Sequence, residues 1–194
     1  MKNTKMWIII GGIVILSLYL ISQYNGLVKL EQSVKKQWAN VESSYQRRAD
    51  LIPNLVNTVK GYAEFEKSTL QGVIEARSKA TGVTVNAENL TPETIAKFQE
   101  AQNQMSGALS RLLVVVEKYP DLKANQNFLE LQAQLEGTEN RINVERNRYN
   151  EMVQPFNTKI KTFPTNLMNA IYGFKEMGYF EAQKGAEAAP TVTF

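Results

Sequence analysis

The first pattern in the chain is an uninterrupted apolar segment near its N-terminus. Residues 6–28 contain no charged residue, and residues 6–21 are apolar apart from Ser17 and two glycines. About 20 such residues in a helix span the roughly 30 Å hydrocarbon layer of a bilayer. Aromatic residues typical of interfacial anchors flank the segment, namely Trp7, Tyr19 and Tyr24. The pattern predicts a transmembrane anchor over residues 6–26, preceded by a short tail of residues 1–5.

The alternative for this segment is a cleaved signal peptide, because Lys2 and Lys5 form a basic region ahead of the apolar run. Residues 21–26 contain no small-x-small cleavage site, however, and the chain has no cysteine for lipid attachment. We therefore favour the anchor. Gly11 and Gly12 lie within it, and small residues of this kind allow two membrane helices to approach closely.

Beyond the anchor, apolar residues recur at steps of three, four or seven, the spacing of one face of a helix. The first stripe consists of Leu27, Leu30, Val34, Trp38, Val41, Tyr45, Ile52, Leu55, Val59 and Tyr62. It predicts a helix that continues from the membrane to about Arg77. Pro53 has no N–H for the carbonyl of Ala49, so we expect a kink or a restart between Asp50 and Pro53.

A loop and a second helix follow. Residues 81–92 are rich in turn formers and predict a surface loop. Thr91 and Pro92 then provide an N-cap and a first helical residue. The apolar stripe of this helix comprises Ile95, Phe98, Met105, Leu109, Leu112 and Val116. The helix should stop before Pro120, which disfavours helix in the preceding residue.

The third predicted helix begins after Asn125, which suits an N-cap. Its stripe comprises Phe128, Leu131, Leu135, Ile142, Tyr149, Val153, Phe156 and Ile160. Pro155 is expected to bend the helix near its end. Residues 162–165 open a short fourth helix, which Gly178 is placed to end.

Together these stripes predict an all-α fold, in which an N-terminal transmembrane helix precedes an elongated antiparallel bundle of about four helices, two of them long. Each helix has an apolar stripe that a neighbouring helix must cover. The bundle occupies residues 27–180, and the Ala- and Gly-rich residues 181–194 form a flexible tail. The sequence shows no strand alternation and no solenoid repeat.

Composition removes most enzyme classes. The chain has 194 residues with neither cysteine nor histidine, which excludes Cys- and His-based zinc sites, thiolate nucleophiles and His-based acid/base pairs. Bundles that hold two-metal centres supply histidine as well as Glu, and no motif pairs a Ser with a Lys. We therefore expect no catalytic residue, cofactor or metal. The formal net charge of +3 gives no basic surface for nucleic acid.

A polar cluster surrounds the internal proline of the first stripe, at Arg47, Arg48, Asp50 and Asn54. Two guanidiniums beside a helix irregularity are a candidate contact for an acidic partner or for anionic lipid headgroups. In the structural alternative, Asp50 and Asn54 bond to the backbone groups that Pro53 frees, and the arginines pair with acidic residues of a neighbouring helix. We favour the structural alternative.

The middle of the third helix is polar, at Glu139, Asn140, Arg141, Glu145 and Arg148. Polar groups that face a bundle fix its register and its pairing. Glu145 has Arg141 four residues before it and Arg148 three residues after it, so local ion pairs are expected. The aromatic residues of the stripes are interpreted as core rather than as a ligand cage.

Several motifs resemble the LemA family, in order, over about residues 20–180. They include Arg47-Arg48-x-Asp50-Leu51-Ile52-Pro53-Asn54, Val59-Lys60-Gly61-Tyr62-Ala63, Tyr119-Pro120-Asp121-Leu122-Lys123-Ala124-Asn125, Thr138-Glu139-Asn140-Arg141-Ile142, Phe156-Asn157 and Phe163-Pro164. The resemblance implies a membrane-anchored bundle of long antiparallel helices, found widely in bacteria and without an established catalytic activity. Nothing is carried over to the 81–92 loop or to the tail, where the sequence departs from the family pattern.

The expected function is a non-enzymatic, membrane-tethered helical scaffold that self-associates and organises the bacterial inner membrane or its proteins. Its partners would be membrane lipid and further copies of the chain. The alternative rests on the family resemblance and is an adaptor in envelope stress or maintenance that binds a membrane peptidase or another membrane protein. Lys2 and Lys5 lie closer to the anchor than most basic residues on its other side, which slightly favours a domain on the outer, periplasmic face.

Overall fold

A computed structural model describes residues 2–62 and 66–182, with side chains described from residue 5 onward in the first helix. The described residues form six helices and no strand, which confirms the all-α prediction. The helices are α1 Lys2–Lys60, α2 Lys67–Gly82, α3 Pro92–Val116, α4 Pro120–Lys123, α5 Gln126–Lys161 and α6 Thr165–Tyr172. Residues 183–194 of the predicted tail lie outside the described part of the chain.

The first helix joins the apolar segment to the bundle. α1 is 59 residues long. Its side chains are mostly exposed from Lys5 to Asn25, and from Leu27 onward one face is buried. The candidate membrane span and the first core helix are therefore one continuous element.

Of the kink or restart expected between Asp50 and Pro53, the restart is wrong, because α1 continues as one helix through Pro53, and the kink stays a prediction. Pro53 leaves the carbonyl of Ala49 without its helical donor, and Nε of Arg77 donates to that oxygen at 2.9 Å instead. The predicted continuation to Arg77 is also wrong, since α1 ends at Lys60 and Arg77 belongs to the separate helix α2. Gly61, the weakest helix former of this stretch, follows the last helical residue.

Helices α1, α2, α3 and α5 form the bundle. α1 packs against α5, and α2 packs against α3. α5 runs antiparallel to α1, since Gln37 contacts Glu145 whereas Arg48, further along α1, contacts the earlier residue Glu139. The long helices thus place polar side chains of α1 opposite polar side chains of α5 at two levels.

Buried apolar side chains form two clusters along the bundle. The proximal cluster, nearer the apolar segment, is centred on Trp38, whose ring packs edge-on against Phe98 at 5.2 Å and Tyr149 at 5.7 Å. The distal cluster contains Leu55 and Phe128. Burial of these aromatic rings confirms that they belong to the core.

The chain after α5 departs from the prediction at two glycines. α6 ends at Gly173, whose φ of 75° is a left-handed conformation that glycine adopts without strain, and not at Gly178. Gly178 lies in the extended segment 173–182 and donates its N–H to the carbonyl of Leu90 at 2.8 Å. A Cβ at Gly178 would lie 2.7 Å from Cα of Pro92, so this close approach requires glycine.

The connection between α2 and α3 is only partly a surface loop. Val85 and Leu90 are buried in the proximal cluster, and the extended segment lies beside Leu90, whose carbonyl accepts the N–H of Gly178. The two predicted caps are confirmed. Thr91 accepts a hydrogen bond from the N–H of Thr94 at 3.4 Å, and the side chain of Asn125 accepts one from the start of α5 at 3.1 Å.

Candidate functional site

Arg48 is the most deeply buried charged side chain of the described residues, with 2% of its surface exposed. Its Nη1 donates to Oε2 of Glu139 at 2.7 Å and to Oγ of Ser106 at 2.8 Å. Its Nη2 donates to Oε1 of Gln102 at 2.7 Å and to the main-chain oxygen of that residue at 3.2 Å. The guanidinium also lies over the Tyr45 ring, 5.1 Å from its centroid. These contacts offset the cost of removing the charge from water.

The Arg48 network joins all four bundle helices. Glu139 belongs to α5, Arg48 to α1 and Gln102 to α3. Nε2 of Gln102 donates in turn to the carbonyl of Ala80 in α2, at 3.2 Å. Sliding any one helix by a turn would move its member of the network out of reach, so a polar layer of this kind favours one register.

The other residues of the 47–54 cluster do not join this network. Arg48 points into the bundle and pairs with an acidic residue of a neighbouring helix, as the structural alternative expected. Arg47 is exposed. Asp50 and Asn54 are exposed as well, and Arg77 of α2, rather than either of them, bonds to the carbonyl that the proline frees. The expectation that Asp50 and Asn54 would bond to the backbone groups freed by Pro53 was therefore wrong.

A second polar contact lies around Glu145, nearer the apolar segment. This buried carboxylate accepts a hydrogen bond from Nε2 of Gln37 at 2.7 Å and pairs with Arg148 at 3.1 Å. Arg141 and Asn140 are exposed, and the expected ion pair between Arg141 and Glu145 does not form. Of the polar residues predicted in the middle of this helix, Glu145 thus links α5 to α1, at a level nearer the apolar segment than the Arg48 network.

An open groove of about 750 Å³ runs between α3 and α5. Its lining includes Arg48 and Glu139 together with apolar side chains of both helices and the end of the extended segment. The Glu139 side chain is 40% exposed, so a molecule in the groove would meet the charged layer. The exposed residues Asn143 and Asn147 of α5 also line it.

Sequence reasoning missed a set of carboxamides that hold the extended segment against the bundle. Each donates to the main-chain carbonyl and accepts from the main-chain N–H of a single partner residue, at 2.8–3.1 Å. The pairs are Asn169 with Phe174, Asn157 with Met177, Asn150 with Phe180 and Gln99 with Glu181. The sequence feature that could have revealed them is a polar amide at a helical position that faces the core, such as Asn157 beside the buried Phe156.

The predicted anchor residues lie where α1 stands clear of the bundle. Trp7 and Tyr19 are exposed, and a Cβ added at either glycine of the anchor would meet nothing within 4 Å. Tyr24 behaves differently, because its ring packs edge-on against Tyr172 of α6 at a centroid distance of 5.2 Å. By length and composition, α1 is long and apolar enough to cross a membrane.

No group of three or more His, Cys, Asp or Glu side chains is arranged as metal ligands within residues 2–62 and 66–182.

The long apolar helix and the bundle together define the class of a membrane-associated helical protein. The model of the LemA family matches residues 37–194. The chain belongs to the LemA family.

Several relatives align with most of this chain. Magnetosome protein MamQ 2 of Paramagnetospirillum magneticum is 26% identical over 193 residues, covering 90% of this chain and 70% of the relative. Magnetosome protein MamQ of Magnetospirillum gryphiswaldense is 26% identical over 191 residues, with the same coverage. Protein LemA of Metamycoplasma hominis is 24% identical over 164 residues, covering 84% of this chain and 71% of the relative. None of these names specifies a catalytic activity.

Proposed function

We propose that this protein is a non-enzymatic scaffold, tethered to the bacterial inner membrane by residues 6–26, that self-associates and organises the membrane or its proteins. The observation that carries the proposal is the continuity of α1, which extends for 59 residues from the apolar segment into the core. Because the span and the bundle share one helix, the orientation of the anchor and that of the domain are coupled. Copies that pack through their anchors would thereby align their domains.

Two further features support a scaffold. The buried charges described above are satisfied within the bundle, as in the contact of Arg48 with Glu139 at 2.7 Å. The anchor carries two adjacent glycines whose faces are open, and small residues let membrane helices pack closely. The first feature supports a structural role for the polar layer, and the second is consistent with close packing between anchors.

Self-association is tested by disulfide crosslinking of single-cysteine variants in native membranes, since the chain has no cysteine of its own. We expect Gly12→Cys to crosslink between copies. The matched control is Val14→Cys, which lies two residues, and therefore about 200° around the helix, from Gly12. Val14→Cys should crosslink weakly. The mass of the unmodified protein in nanodiscs should exceed that of one copy. A single copy per disc, with no crosslink at either position, would refute self-association.

The open groove between α3 and α5 favours a second candidate function, the adaptor that binds a membrane peptidase or another membrane protein. Its lining combines apolar side chains with the partly exposed carboxylate of Glu139. Groove variants Asn143→Arg and Asn147→Arg change exposed residues and should leave the fold intact. Loss of a co-purifying membrane protein in these variants, with self-association unchanged, would favour the adaptor. The matched control is Asn127→Arg, at an exposed asparagine of α5 outside the groove lining.

A further inference from the structure

Three large apolar side chains on and just before α6 are exposed together. Phe163 is 78% exposed, Leu167 66% and Ile171 85%. They are spaced four residues apart, so Leu167 and Ile171 occupy one face of α6 and Phe163 precedes that face. Outside the apolar segment of α1, the other large exposed apolar residues of the described chain are spread over several elements. A group of this kind marks an interaction surface.

The opposite side of α6 is fixed to the end of the candidate membrane span. The hydroxyl of Tyr172 donates to the main-chain oxygen of Leu20 at 3.0 Å. The ring centroid of Tyr24 lies 5.2 Å from that of Tyr172 and 5.8 Å from that of Phe174. Leu20 lies within the uncharged run of residues 6–28. α6 is thus held beside the last turns of the apolar segment.

The end of α5 reaches the same level. A Cβ at Gly26 would lie 3.9 Å from Nζ of Lys159 in the last turns of α5. Leu20 and Gly26 are about 9 Å apart along a helix axis. The three exposed side chains therefore lie beside the stretch of α1 where a spanning helix leaves the hydrocarbon layer.

The charges around α6 suit a bilayer surface. From Asn157 to Lys175 the chain contains three lysines and no acidic residue. Lysines at the edge of an apolar face extend their amines to lipid phosphates while their stems stay in the apolar layer. One of them, Lys161, pairs with Glu176 at 2.5 Å, whereas Lys175 is exposed.

We propose that the face formed by Phe163, Leu167 and Ile171 is a second membrane contact, inserted at the boundary between headgroups and acyl chains beside the α1 anchor. This inference rests on the proposed anchoring by α1. A second copy of the chain is a poorer occupant, because α6 has 8 residues and a stable protein interface buries roughly 1,000 Å² or more. Contact through both α1 and α6 would hold the domain at a fixed tilt to the membrane.

The test uses spin labels on single-cysteine variants of the full chain in phospholipid nanodiscs. Leu167→Cys and Ile171→Cys report on the face. Val114→Cys, 69% exposed near the C-terminal end of α3, is the matched control, and Ile15→Cys, 71% exposed, reports on the anchor. The readout is the accessibility of each label to lipid-soluble oxygen relative to a water-soluble nickel complex. We expect this ratio at 167 and 171 to be several-fold higher than at 114 and below that at 15.

Each other outcome overturns a defined part of the proposal. Labels at 167 and 171 that resemble the one at 114, while the label at 15 remains in lipid, would leave the anchor intact and remove the second contact. Labels at 167 and 171 shielded from both reagents would show that protein covers the face. A water-exposed label at 15 would overturn the anchor and with it this inference.

A second measurement tests the consequence for the domain. The pair Leu167→Asn and Ile171→Asn removes apolar surface without touching the buried side of α6. We expect a fluorophore at Val114→Cys to show a broader range of distances to labelled headgroups in this variant than in the parent. The matched control changes Leu129 and Val144, exposed residues of α5, to Asn. An unchanged distance range in the α6 variant would contradict the second contact.

Discussion

At the scale of single residues, the buried polar groups of this bundle differ in whether they are paired. The guanidinium of Arg48 has hydrogen-bond partners on two helices, Glu139 of α5 and Gln102 of α3. The hydroxyl of Tyr149 and Nε1 of Trp38, in contrast, are buried in the proximal cluster without a hydrogen-bond partner among the described residues. A buried polar atom left unpaired costs about 1–3 kcal/mol. The proximal core therefore gives up some stability at these two positions.

Replacing Tyr149 with Phe should stabilise the protein, because it removes an unpaired hydroxyl and keeps the ring that packs on Trp38. We expect a gain of about 1 kcal/mol, seen as a rise of about 2–4 °C in the midpoint of thermal unfolding. Tyr62→Phe is the matched control, since the Tyr62 hydroxyl accepts a hydrogen bond from Nδ2 of Asn125 at 3.0 Å. That variant should lose stability. A loss of stability in Tyr149→Phe would show that its hydroxyl has a partner.

The burial of Tyr149 also predicts that the free energy of unfolding depends on pH in the alkaline range. Burial, with a smaller contribution from Tyr179, raises the pKa of Tyr149 well above its ordinary value near 10. Above pH 10 the unfolded chain therefore loses a proton that the folded chain keeps, so the free energy of unfolding falls as the pH rises. Thermal unfolding at pH 8 and pH 10.5 measures this loss. It should be smaller in Tyr149→Phe than in the parent.

At the scale of elements, the contact between α1 and α2 shows how a proline is accommodated inside a long helix. Pro53 removes one helical hydrogen bond, and Nε of Arg77 replaces its donor at the Ala49 carbonyl, 2.9 Å away. The replacement comes from a different helix. The proline thus creates an acceptor that α2 uses to dock on α1.

This reasoning predicts that Arg77 and Pro53 are energetically coupled. Arg77→Met should destabilise the parent by about 2 kcal/mol, because a hydrogen bond from a charged donor is lost and a buried carbonyl is left unpaired. In the Pro53→Ala background the restored N–H can bond to Ala49, so the same change should cost clearly less. Thermal unfolding of the four proteins measures the coupling. Arg111→Met, at an exposed position, is the control. Equal costs in both backgrounds would contradict the proposed docking.

Local patterns predicted the helices, and long-range contacts decided where they end. The apolar stripes of α1, α3 and α5 follow from the helical period, which is a local property. The boundary after Lys60 was missed because the stripe continues to Tyr62 across Gly61. Two glycines, Gly173 and Gly178, were candidates for the end of α6. The close approach of Gly178 to the start of α3 is a long-range contact that a local sequence pattern does not contain. Three of the four carboxamide contacts were missed for the same reason, since their partners are 20 or more residues away in the sequence.

At the scale of the whole molecule, the domain touches the apolar segment through more than one element. α1 enters the bundle directly, and α6 reaches back to it through the hydrogen bond from Tyr172 to Leu20. The extended segment after α6 is then fastened along the bundle by Asn157 and the other carboxamides. The bundle and the end of the apolar segment are therefore packed as one unit.

The side of the membrane on which this unit lies is predicted from charge. Lys2 and Lys5 adjoin the apolar segment on its N-terminal side, whereas Lys29 is the first basic residue on the other side, which slightly favours an N-terminus inside and a domain outside. The lack of native cysteine makes Asn127→Cys, at an exposed position of α5, a specific reporter. In intact cells we expect a membrane-impermeant maleimide to label it and to leave Asn3→Cys, on the opposite side of the apolar segment, unlabelled until the cells are lysed. The reverse pattern would place the domain in the cytoplasm. Equal labelling of both variants before lysis would argue against a single membrane span.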